Sequence, residues 1–92
     1  MHADADWVSI AEAPDAEPRL SFQRAPDHHP PSWPDPASSM QVHLDFGAGA
    51  GNLDTAELAA IALGATVFEA QPEPESFRVL ADPAGHVFCL CL

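Results

Sequence analysis

Apolar and polar residues alternate without a break from Met40 to Phe46, with Met40, Val42, Leu44 and Phe46 on one side of an extended chain and Gln41, His43 and Asp45 on the other. A period of two over this length predicts a strand with one apolar face. The glycine-rich Gly47-Ala-Gly-Ala-Gly51 ends it and reads as a flexible loop, since it lacks the spacing of a phosphate-cradling motif. Asp54 and Glu57 stand at capping-box spacing, flanked by Leu53 and Leu58, so a helix is expected to begin there, or two residues earlier with Asn52 as its cap. Leu58, Ile61 and Ala62 are its predicted apolar stripe, and Gly64 its left-handed stop after about three turns.

Thr66–Ala70 then reads as a strand. Phe77–Ala81 and His86–Leu92 flank Asp82-Pro83-Ala84-Gly85, a sequence suited to a type I turn, and so predict a hairpin. Upstream, Trp7–Ile10 and the alternating Leu20–Arg24 predict a second hairpin. Five prolines between Ala25 and Ser39 remove backbone donors and fix φ, which excludes helix and central strand there. That stretch is a connector. The order from Met40 onward is strand, helix, strand, strand, strand, and the class is α+β.

Composition narrows the partners. The 92 residues suffice for one modest core, and a hydrophobic fraction of 47% is that of a globular chain. A net charge of −11, with only three arginines as cations, leaves no basic stripe for nucleic acid or an anionic membrane. The start lacks the pattern of a signal peptide and no apolar run reaches membrane-span length, so the expected location is cytoplasmic. Cys89 and Cys91, two apart on an extended strand, are expected as reduced thiols.

The segments VHLDF, NLDTAELAAIALGATVFE, FRVLADPAGHVFCL and, upstream, RLSFQRAP together resemble the vicinal oxygen chelate superfamily, and within it the glyoxalase-like and bleomycin-resistance-type domains. The resemblance spans about Trp7 to Leu92. It implies βαβββ modules whose sheets curl around a shared cavity. Residues 40–92 match a complete second module with a curled, antiparallel-rich sheet. Residues 1–39 match a β-hairpin from an incomplete first module plus the proline-rich connector, its first strand, helix and second strand having no counterpart. The whole is expected as a single glyoxalase-like domain. Three readings of that gap stand open: a second copy in a homodimer completes the sheet or cavity, the sheet rearranges, or the sequence belongs to a longer or shortened protein.

The resemblance also implies metal ligands on the first and last strands of each module. His43 matches one such position, Gln23 matches another, and Cys89 falls where metal-dependent relatives carry glutamate. A divalent ion there would chelate adjacent oxygens of a small-molecule substrate. Asp45, on the same face as His43, is the carboxylate placed to carry a proton. Trp7 and Phe22 are expected to wall the substrate cavity, with Trp33 at its mouth. Two further histidines, His28 and His29, match no zinc-site spacing with the cysteines. The functional expectation is a metal-assisted lyase, isomerase or dioxygenase-type enzyme. The alternatives are a metal-free small-molecule binder of the antibiotic-sequestering kind, or an inactive truncated member.

Overall fold

The computed structural model describes residues 2–92, in two sheets, one α-helix and a 3-10 turn at Pro36–Ser38, a single helical turn in the connector where none was expected. β1 (His2–Ala3), β2 (Trp7–Ile10) and β3 (Leu20–Gln23) form an antiparallel sheet in that order. The β2–β3 hairpin is the one its alternation predicts, and β1 is an addition too short for periodicity to reveal. The second sheet contains β4 (Leu44–Gly47), β5 (Thr66–Val67), β6 (Phe77–Ala81) and β7 (Val87–Cys91), ordered β4-β7-β6-β5. β7 pairs antiparallel with β6 and parallel with β4. The helix α1 (Leu53–Ala62) supplies the crossover that a parallel partner needs. This is the expected strand–helix–three-strand module.

Its ends follow from sequence. Gly64, at φ +106, takes the left-handed position after the helix, where Ala65 N–H donates to the Ala60 carbonyl and Gly64 N–H to that of Ile61, both at 3.0 Å. In the β6–β7 turn the Asp82 carboxylate accepts from Ala84 N–H (3.0 Å) and His86 N–H (2.8 Å), and Gly85 adopts φ +88. A type I turn followed by a left-handed glycine gives the strands the right twist.

The sheet divides the core in two. On one face Leu80 and Leu90 pack with Leu53 of the helix, and with Ala56, Ala60, Val67 and Phe88 around them. On the other, Val79, Val87 and Cys89 pack with Phe68, Phe77, Met40 and Trp33. Among the described residues, neither cluster contains one from β2 or β3. Trp7, Ile10 and Phe22 there are 40%, 41% and 44% exposed, and the chain's surface of 6745 Å² exceeds the roughly 5,200 Å² of a compact chain of this mass.

Several expectations need correction. The strand expected over 40–46 begins only at Leu44, and its apolar residues part company: Met40 joins the Cys89 side of the sheet, while Val42 stays 79% exposed. Met40 is drawn with Trp33 of the connector onto the Val79–Val87–Cys89 cluster, so this end of the alternating run packs on the face of the sheet and not along its edge. The expected stripe of the helix is turned outward. Leu53, Ala56 and Ala60 pack inward, whereas Leu58 and Ile61 are 67% and 44% exposed. The helix is apolar nearly all round, and small alanines let it approach the sheet more closely than leucine and isoleucine would. Asn52, the second choice, holds the cap position, but its amide donates to the Ala48 carbonyl and makes no cap bond. Asp54 and Glu57 instead hold Arg78. The strand over 66–70 shortens to Thr66–Val67, because the Gln71 side chain takes the next place on β6, accepting from Val79 N–H and donating to the Val79 carbonyl, each at 2.9 Å.

Candidate metal and small-molecule site

β4 and β7 run parallel with Asp45 opposite Cys89. Partners in a parallel ladder project to one side, so the carboxylate and the thiol lie together on the face away from the helix. His43 immediately precedes β4 and folds its ring to the same place, with Nε2 3.2 Å from Asp45 Oδ1. One ligand atom from each of His43, Asp45 and Cys89 lies within 4.8 Å of the others. The site's burial is graded. Asp45 and His43 side chains are 61% and 41% exposed, while Cys89 is 7% exposed.

Burial, and then the neighbouring Asp45 carboxylate, push the Cys89 thiol up to about 11. Cys91, also a free thiol, is raised by the same two causes. In the metal-free protein the Cys89 proton is therefore held at neutral pH. The set of imidazole, carboxylate and thiol nevertheless fits a borderline-soft divalent ion, since zinc takes nitrogen, oxygen and sulfur together and leaves a fourth position open in catalytic sites. Closing to bonding distance needs small side-chain shifts and release of the thiol proton.

The remaining expected residues lie elsewhere. Gln23 is on β3, and among the described residues no strand of the first sheet approaches an element of the second. Trp7 and Phe22 do not make one wall. The register Trp7↔Gln23, Val8↔Phe22 and Ser9↔Ser21 puts Trp7 with Gln23 and the serines on one face, and Phe22 with Val8 on the other. Trp7 Nε1–H donates to Ser9 Oγ at 2.7 Å, and the Ser9 and Ser21 hydroxyls are 2.8 Å apart, which makes that face a polar ladder. Trp33 does lie on the Cys89 side of the second sheet, its ring 5.0 Å from that of Phe68 at 74°.

Sequence reasoning missed Arg78. It lies on the helix side of β6, where Nη2–H donates to Asp54 (2.9 Å), Nη1–H to Glu57 (3.4 Å) and Nε–H to the Pro74 carbonyl (2.6 Å). The Asp54 hydrogen bond leads in holding the guanidinium above its ordinary value. The clue was available: Arg78 is the only cation after residue 24 in a strongly acidic chain. It ties helix to sheet and lies on the opposite face from the candidate donors.

A family model described as a glyoxalase-like domain matches residues 1–91. No curated protein and no solved structure matches the chain. Among the described residues no helix is long and apolar enough to cross a membrane.

Proposed function

Because the chain belongs to the glyoxalase-like domain family of the vicinal oxygen chelate superfamily, we propose that it is a metal-assisted small-molecule enzyme of the lyase or isomerase type. His43, Asp45 and Cys89 would hold the ion. The observation that carries this reading is the convergence of three chemically different donors within 4.8 Å. A divalent ion supplies Lewis-acid polarisation of adjacent substrate oxygens. The sequence cast Asp45 as a proton carrier; its place between an imidazole and a thiol supports a ligand role instead, with His43 oriented by the carboxylate it contacts.

The alternative is a metal-free binder. The retained Cys89 proton favours it, because a thiol raised to about 11 resists becoming a thiolate ligand.

We also propose that a second copy of the chain covers the first sheet. The apolar residues Val8, Ile10, Leu20 and Phe22 share one face of the hairpin and none joins a core cluster. The surface beyond that of a compact monomer is of the order a standard dimer interface removes, about 800 Å² per partner or more. Gln23 could then meet the donors only from the partner or after the first sheet moves. Two unpaired thiols support a reducing, cytoplasmic setting.

Elemental analysis of purified protein, with its mass in solution, tests both parts. One zinc or other divalent ion per chain, lost in His43→Ala with the fold retained, is the expected result. Protein that stays metal-free after zinc addition and dialysis would remove the enzyme reading and leave the binder.

A further inference from the structure

The face of the second sheet that carries Cys89 is covered by the chain's own connector. Residues 32–38 close into a small loop through Ser32 N–H to the Ser38 carbonyl (2.9 Å), Asp35 N–H to that of Ser32 (2.8 Å) and Ser38 N–H to that of Asp35 (3.1 Å). The Asp35 carboxylate accepts from Ala37 N–H at 2.9 Å and caps the short 3-10 turn Pro36–Ser38. This loop presents one large side chain, Trp33. Its indole meets Phe68 edge-on and, with Met40, packs against Val79, Val87 and Cys89. Thus the apolar floor under the indole includes one of the three candidate donors.

The connector is held there by side chains and not by strand pairing, since it joins neither sheet. Its upstream attachment is to the β6–β7 turn. His28 Nε2 lies 2.9 Å from the Ala84 carbonyl and its ring 4.8 Å from that of His86. Pro30 sits so close to Gly85 that a Cβ on the glycine would collide with the proline ring. Proline at five positions keeps the segment stiff, so it can lift as a unit without losing a ladder.

We propose that residues 25–39 form a strap that seats Trp33 in the ligand position of the candidate site, and that the ligand replacing it is a flat, neutral or cationic aromatic small molecule. This rests on the reading of His43, Asp45 and Cys89 as the functional site. The ligand class follows from what it must replace and where: a planar ring set edge-on to Phe68, over Val79 and Val87, beside donors that take its polar substituents. The net charge of −11 disfavours an anionic aromatic. The strap thereby keeps an apolar floor dry and Cys89 covered until the ligand arrives.

The test uses 5-fluorotryptophan-labelled protein carrying Trp7→Phe, which leaves Trp33 as the only label, with indole as the probe. In metal-free protein, indole should move the fluorine resonance saturably from its packed to its solvent position. Trp33→Ala, which removes the competitor, should bind indole at least tenfold more tightly by calorimetry, and His28→Ala, which frees one end of the strap, should lower the indole midpoint in the labelled protein. A resonance that does not move up to the solubility limit of indole would overturn the proposal, even if Trp33→Ala took up indole, because Trp33 would then be a core residue only. An unchanged midpoint in His28→Ala would overturn it too. Zinc binding to the same sample is scored separately: displacement of Trp33 without zinc binding sinks the metal reading alone, and zinc binding without displacement sinks the strap alone.

Discussion

Asp45 on β4 and Cys89 on β7 are register partners in a parallel pair, and their carboxylate and thiol converge to within 4.8 Å at the buried end of the candidate site. The pairing has a thermodynamic consequence before any metal arrives. Cys89 titrates near 11 in the folded chain against an ordinary value of 9.0. Between those values the unfolded chain has released the proton and the folded chain still holds it. Unfolding then releases protons, so stability falls as pH rises through this window and is flat below it. We expect chelator-treated protein to lose stability between pH 9 and 11 by no more than about 2–3 kcal/mol. Urea midpoints at pH 8 and pH 10.5 would show a smaller loss in Cys89→Val. Equal losses in both proteins would mean the thiol is not the group responsible.

The core makes a sharper contrast. Leu80 is fully buried between helix and sheet, whereas Leu63, just past the helix, is 85% exposed. Leu80→Ala should cost about 2–5 kcal/mol, a large share of the roughly 5–14 kcal/mol available to a chain of this size. Leu63→Ala should stay within about 0.5 kcal/mol. Chemical denaturation of the two variants measures both, and comparable losses would contradict the packing described.

How far these features could be read in advance depends on what each one rests upon. The β6–β7 hairpin was legible because Asp82 and Gly85 dictate turn geometry locally, and the Gly64 stop for the same reason. The inward face of α1 was not, because a helix with apolar residues on every side carries no preferred direction; the choice was made by Leu80 and Leu90 in distant strands. His43 and Cys89 were placed by family likeness, and their meeting required a parallel pairing that alternation alone does not specify. Gln23, Trp7 and Phe22 were expected at the same cavity, but the sheet that carries them stands apart from the second one. Asp54 and Glu57 had capping-box spacing, yet Arg78 offered their carboxylates a stronger partner than backbone amides do.

That exchange of partners predicts a specific mutant phenotype. The Arg78 side chain is 16% exposed and reaches Asp54, Glu57 and the Pro74 carbonyl at once. Arg78→Met should loosen the first turn of the helix, speeding amide hydrogen exchange over residues 55–58 by about tenfold while the β6–β7 amides change less. Arg78→Lys should not restore protection, because a single ammonium cannot span two carboxylates and a carbonyl in the way a guanidinium fork does. Full protection in the lysine variant would show that charge alone suffices.

The uncovered first sheet leads to the last expectation. An antiparallel sheet ordinarily buries its apolar face, and Val8, Ile10, Leu20 and Phe22 form such a face on the β2–β3 hairpin. A second apolar surface competes for any partner, since Leu58, Ile61 and Leu63 project from the helix side. A dimer built through the sheet should fall to monomer mass when Phe22 is replaced, as in Phe22→Asp, and should keep its mass in Leu63→Asp. The opposite pattern would place the interface on the helix. Light scattering over a hundredfold range of concentration separates these outcomes, and a wild-type chain that stays monomeric throughout would refute assembly by either surface. Because neither residue belongs to the Leu53–Leu80–Leu90 or the Val79–Val87–Cys89 cluster, each variant should retain its folded second sheet, so a change in mass reports on the interface and not on unfolding.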